Sequence, residues 1–182
     1  MLHNIIKCYK SSLSNYFCIV MIKPNIRKAV KSDAESILFL IRELAFFEKE
    51  PEAVVVTQAQ IEKDGFGDSP LFECFIAEVA DQVVGMALYY PRYSTWKGPT
   101  FHLEDLIVTE SMKGRGIGTQ LYNAFLKHAH DTGVKRVEWA VLDWNIPAIK
   151  FYEKSGAIIL DDWRSVQMDK KSIDNYILKI NS

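Results

Sequence analysis

Cysteine is scarce in this 182-residue chain: Cys8, Cys18 and Cys74 are odd in number and far apart. No two have metal-ligand spacing, which argues against both a structural metal site and a disulfide framework, and points to a reducing, cytoplasmic setting. Basic runs are missing as well. Adjacent basic residues occur only as the pairs Arg27-Lys28, Lys135-Arg136 and Lys170-Lys171, and the formal net charge is -1. Nothing here is drawn to nucleic acid or to an anionic membrane surface. No apolar run approaches the ~20 residues that span a bilayer. The short apolar stretch from Tyr16 to Ile22 lacks the small-residue cleavage pattern of a signal peptide. Internal repeats and low-complexity linkers are absent too.

What remains is an ordinary globular composition, 48% hydrophobic and 25% charged, at a length that suits one domain with its own core. Residues 1–20 contain no acidic side chain and little periodicity. They read as an N-terminal extension, either a disordered arm or a start-site artefact. The domain proper is expected over residues 21–182.

Hydrophobic spacing predicts a strand from Ile22 to Val30. Ser32 and Glu35 then form a capping box that opens a helix with Ile37, Leu40, Ile41, Leu44 and Ala45 on one stripe. A second box, Thr57 to Gln60, opens a short helix stopping at Gly65. Three strands follow as a meander: Phe72–Val79, Val83–Tyr90 and Thr100–Val108. A glycine-rich turn leads into a helix carrying Ile117, Leu121, Phe125 and Ala129 and closed by Gly133. A strand from Val134 to Leu142, a helix from Asn145 to Ser155, strands at Ala157–Trp163 and Ser165–Met168, and a helical tail complete the order. The fold class is α/β, with a mixed, mostly antiparallel sheet and helices on both faces. Cys74, within an apolar run, reads as a small buried hydrophobe.

Two segments carry chemistry. The first is Lys113-Gly114-Arg115-Gly116-Ile117-Gly118, between a strand and a helix. Glycines let the backbone approach a ligand, and helix-start amides favour phosphate. The Lys of a Walker loop is absent before Thr119, and the G-x-G-x-G spacing departs from the dinucleotide fingerprint. The second segment is Asn145-Ile146-Pro147-Ala148-Ile149-Lys150-Phe151-Tyr152, ending at Lys154-Ser155-Gly156-Ala157. Together they resemble the acetyl-CoA-binding core of the GNAT N-acetyltransferase superfamily, with Lys113 standing where Gln or Arg is usual; Lys keeps the charge and loses the planar fork. Glu43 to Glu48, Asp64 to Asp68, Leu103-Glu104-Asp105 and Trp144-Asn145 are similar to the diamine (spermidine/spermine) acetyltransferase subfamily. Tyr93 to Gly98 and Ala140 to Asn145 are most similar to its thialysine N-epsilon-acetyltransferase branch. Ser94 stands where polyamine-specific members carry Asp.

The resemblance implies an enzyme moving an acetyl group from acetyl-CoA to a small primary amine, with no metal. It implies cofactor contacts from Leu106, Ile107, Val108, Lys113, Gly114, Arg115, Gly116, Ile117, Gly118, Thr119, Asn145 and Tyr152. Glu48, Trp96, Asp105 and Trp163 are implied for the substrate, and a homodimer for the assembly. A primary amine with pKa ~10.4 arrives protonated and must lose a proton before it attacks. Glu104 is the implied base, amides near Leu106 and Ile107 the oxyanion donors, and Tyr152 the acid for the departing thiolate. In a regular strand Glu104 and Asp105 point to opposite faces, so a bulge is needed if both serve one pocket. A polyamine acetyltransferase and a non-catalytic acetyl-CoA-binding regulatory module are the competing readings.

Overall fold

The computed structural model describes residues 5–9, 17–21 and 23–181. The chain divides into two compact units, Met1–Ala140 and Val141–Ser182. In the first, β1 (Ile5–Tyr9) and β2 (Phe17–Met21) pair as an antiparallel ribbon. The rest of the expected N-terminal extension lies outside the described residues. The expected strand starting at Ile22 is realised as β3 (Asn25–Lys28); Ile22 itself is also outside them.

The main sheet has the order β3-β4-β5-β6-β7, with β4 at Glu73–Val79, β5 at Gln82–Ser94, β6 at Gly98–Val108 and β7 at Val137–Glu138. Neighbours are antiparallel except β6 and β7, which run parallel. The sheet is therefore mixed and mostly antiparallel, as expected.

Period-2 alternation places Cys74, Ile76, Met86, Leu88 and Ile107 on one face, where they pack against Ala34, Ile37, Leu38 and Leu40 of α1 (Ala34–Phe47) and Ile61 of α2 (Gln58–Phe66). Each fully buried Ile, Leu or Met there stabilises the fold by ~1.5–3 kcal/mol. The opposite face holds Phe75, Tyr89 and Phe101 against Phe125 and His128 of α3 (Ile117–Thr132). At Gly85 a Cβ would lie 2.8 Å from Ile107 O and 3.1 Å from Leu121 Cδ1, so the bare backbone lets α3 approach β5.

Local expectations need two corrections here. The start of α1 is not organised by Ser32. Asp33 accepts from the Val30 amide at 2.8 Å and grips Arg27 through two bonds of 2.7 and 3.0 Å, while Arg27 also reaches Glu78. Burial raises the Asp33 carboxyl, but Arg27 and the Val30 amide outweigh it and hold the group below the usual range. The Thr57 box forms as expected, yet α2 continues past Gly65 to Phe66 before Gly67 caps it. Cys74 is buried, and burial pushes its thiol far up.

The second unit contains α4 (Ile146–Lys154) and α5 (Lys170–Ile180). The expected strands at Ala157–Trp163 and Ser165–Met168 are not formed, and that between Val134 and Leu142 shrinks to β7. Alternating apolar residues favour extended backbone, but a strand also needs a ladder partner.

Candidate functional site

The geometry of β6 sets the site. It pairs with β7 only at Phe101 and His102. From Leu103 to Val108 the β7-side edge has no ladder partner among the described residues, leaving the backbone groups of Leu106 and Val108 open to a ligand, whereas those of Ile107, in step with Thr109 N bonding Val84 O, face β5. On its other side, Leu88 of β5 pairs with Asp105 and Tyr89 with Leu103, so Glu104 is an extra residue: a β-bulge. That is the irregularity the adjacent carboxylates required. It breaks the alternation that would send Glu104 and Asp105 to opposite faces.

Asp105 shares the α1 face with Leu88, and Glu48 caps the C-terminus of α1 on that side. The three carboxylates act on one another. Burial, then Glu104 and Glu48, pushes Asp105 up to about 7. Partial burial, then Glu104, raises Glu48. Among the described residues no lysine or arginine offsets either group. Three carboxylates held together, with no lysine or arginine against Glu48 or Asp105 among the described residues, suit a positively charged ligand.

The same face continues away from the bulge in register. The next rung is Tyr90, His102 and Glu138, and the one after is Arg92 and Thr100; Arg136, just before β7, accepts at its carbonyl from Phe101 N at 3.1 Å. His102 stacks on Tyr90 with centroids 5.1 Å apart, and its Nε2 lies 3.7 Å from Glu104 Oε2. Its Nδ1 is buried with no hydrogen-bond partner. Burial and then Glu104 raise the Tyr90 hydroxyl. The sequence reading passed over Tyr90, His102 and Glu138; their shared period-2 phase with Glu104's strand was the available signal.

The glycine-rich loop has backbone geometry that suits an anion. Gly114 and Gly116 take φ of 73° and 75°, a region that favours glycine. Gly116 precedes α3 with no side-chain cap, and the first helical bond is Gln120 N to Gly116 O at 3.2 Å, so the amides of Ile117, Gly118 and Thr119 are left for a ligand. Lys113 is exposed, bonds Glu110 at 2.6 Å and lies 4.9 Å over the Phe47 ring. Arg115 bonds the Ser111 carbonyl. Glu43, not singled out in the sequence, holds the approach to this loop: its Oε1 accepts from Thr109 Oγ1 at 3.0 Å and from Glu110 N at 2.8 Å. Trp96 is exposed at the β5–β6 turn, where Ser94 Oγ accepts from the Trp96 and Lys97 amides.

In the second unit, Asn145 caps α4 by accepting from Ala148 N at 3.3 Å, so its side chain has a structural task of its own. Tyr152 lies buried on that helix and Trp163 is exposed. Glu48, Glu104 and Asp105 are thus brought together in the first unit; Trp163, Asn145 and Tyr152 belong to the second.

Residues 35–157 match the family model described as Acetyltransferase (GNAT) family. Thialysine N-epsilon-acetyltransferase of Bos taurus is 40% identical over 140 residues, 72% of this chain and 82% of that protein. Spermidine/spermine N(1)-acetyltransferase-like protein 1 of Homo sapiens is 37% identical over 81% of this chain and 23% of that protein. An integron cassette protein from the mobile metagenome of V. cholerae shares the fold, with TM-score 0.70 at 21% identity, over 85% of this chain and 97% of that one.

Proposed function

The chain belongs to the GNAT acetyltransferase family, and from that premise we propose that it acetylates the primary amine of a small molecule, thialysine or another lysine-like amino acid or diamine. It is an acetyl-transferring enzyme, and GNAT acetyltransferases use acetyl-CoA as co-substrate. The observation that carries the amine reading is the trio Glu48, Glu104 and Asp105, gathered at the β6 bulge with no lysine or arginine offsetting Glu48 or Asp105 among the described residues.

Acetyl-CoA, when bound, supplies a thioester acyl group. The amides at the α3 N-terminus and the glycines of the loop hold its phosphates, with Lys113 and Arg115 adding charge, and the open β6 edge holds its arm. Glu104 accepts a proton from the substrate ammonium, releasing the free amine. The Leu106 amide, on the open edge of β6, donates to the oxygen that gains negative charge. Tyr152 gives a proton to the departing sulfur. Asn145 contributes to the same cofactor site. Glu48 and Asp105 hold the cation; Trp96 and Trp163 cover the carbon chain, their rings adding cation–π attraction. Transfer is direct, in a ternary complex; the deeply buried Cys74, its thiol pushed far up, supports a route with no acetyl-enzyme. The protein works as a cytoplasmic homodimer, which light scattering and cell fractionation test.

The deciding experiment is the initial rate of thiol release from acetyl-CoA with thialysine, lysine, ornithine, putrescine, spermidine and a Lys-containing peptide. Thialysine should outpace spermidine. A preference for spermidine moves the activity to polyamines. Tight acetyl-CoA binding without turnover of any amine refutes an enzymatic role for this site.

A further inference from the structure

The α1 face of the sheet carries an ordered sequence of charges. The acidic trio lies at the bulge. One rung away Glu138 stands beside His102; one rung further Arg92 pairs with Thr100, and Arg136, just before β7, reaches the same Glu138 carboxylate. Successive same-face rungs are about 6.8 Å apart. Arg92 Nη1 contacts Glu138 Oε1 at 2.5 Å and Arg136 Nη2 contacts Glu138 Oε2 at 2.8 Å. Among the described residues the two guanidiniums share one carboxylate, an excess of one positive charge. Both arginines remain open to solvent, with 55% and 39% of their side chains exposed, whereas Glu138 is 23% exposed. Glu138 Oε1 is buried and makes an ion-pair contact without an aligned hydrogen bond.

This pattern has the polarity of a zwitterionic head group beside a second cation. A diamine or polyamine would place its far nitrogen close to two guanidiniums, a repulsive arrangement. A diamino acid is matched at every charge. Its ω- and α-nitrogens, about 6 Å apart when extended, span one rung, and its carboxylate follows within reach of the long Arg side chains. Paired guanidiniums are suited to a planar carboxylate.

We propose that Arg92, Arg136 and Glu138 form an α-amino-acid subsite, Arg92 and Arg136 binding the α-carboxylate and Glu138 the α-ammonium while the ω-amine lies at Glu104 and Asp105. This rests on the acetyltransferase reading and narrows its substrate class to basic α-amino acids. The three residues determine specificity and take no part in proton transfer.

The test uses substrates differing only by the carboxylate: ornithine against putrescine, and lysine against cadaverine. Thiol release is followed for the full chain and for Arg92→Met, Arg136→Met and the double variant. The wild type should favour each amino acid in kcat/KM by at least tenfold. The double variant should lower that ratio at least tenfold, through KM of the amino acid, with partial recovery in Arg92→Lys/Arg136→Lys. An unchanged ratio, or equal losses on both members of a pair, overturns the subsite. Calorimetric titration of ornithine into wild type and double variant separates the two levels. Equal affinities refute the subsite even if the enzyme is active. Weakened binding by the double variant supports it even if no amine is turned over, in which case only the acetyltransferase reading falls.

Discussion

Replacing Asp105 with Asn should stabilise the protein, by an amount that grows with pH. Burial, then Glu104 and Glu48, moves this carboxyl from 3.8 to about 7. The folded state therefore holds the proton more tightly than the unfolded chain does. Asp105 imposes no penalty below its unfolded value, and an increasing one as pH rises from there through 7. At 1.36 kcal/mol for each decade, the interval amounts to about 4 kcal/mol once the group is fully ionised in both states. Asn keeps the shape and stays neutral. The variant should match the wild type below pH 4 and exceed it by about 4 kcal/mol at pH 9. For a chain of this length that is a rise of about 8–16 °C in Tm. Urea and thermal unfolding at pH 4, 5.5, 7 and 9 measure it. A difference that does not vary with pH, or one larger in acid, refutes the idea that Asp105 is destabilised by its burial and its acidic neighbours.

Changing Glu104 to Gln should lower kcat by about 10²-fold or more with acetyl-CoA affinity retained, since proton acceptance is lost and the cofactor cradle is not touched; a loss under threefold would remove Glu104 as the base. Arg27→Met leaves the Asp33 carboxylate unpaired at 6% exposure. With the Arg27 side chain 32% exposed, the cost should be about 2 kcal/mol at pH 7, less than for a fully buried pair. Because Asp33 is held below the usual carboxyl range, this cost should shrink as pH falls through that depressed value, which denaturant titrations at pH 3 and pH 7 compare. Cys74 in the native protein should resist a thiol reagent and react only on unfolding; recovery of Cys74 acetylated during turnover would refute direct transfer.

Much of the fold was legible because its signals are local. The Thr57 to Gln60 box, the apolar stripe of α1 and the glycines at 114, 116 and 133 each act within a few residues, and all appear where expected. The predicted strands at Ala157–Trp163 and Ser165–Met168 failed for the complementary reason. Alternation in Ile158, Leu160, Val166 and Met168 describes what a strand could bury, but a ladder depends on a partner elsewhere in the chain. Asp33 displaced Ser32 at the entry to α1 because its carboxylate answers Arg27, six residues earlier on a strand.

The residues Glu104, Asp105 and Glu48, and the glycine loop ahead of a helix, were determined by the sequence alone; the loop suggested a phosphate-bearing partner, and the family resemblance carried by the sequence suggested an amine. Only the tertiary structure decided that the neighbouring carboxylates share a site, because the bulge at Glu104 is a mismatch in register between two strands and no single strand encodes it. Tertiary structure also set Glu138 beside His102 and brought Arg92 and Arg136, from segments far apart in the chain, onto the Glu138 carboxylate. Charge is written in the sequence residue by residue; the polarity a ligand meets depends on which rungs the sheet aligns.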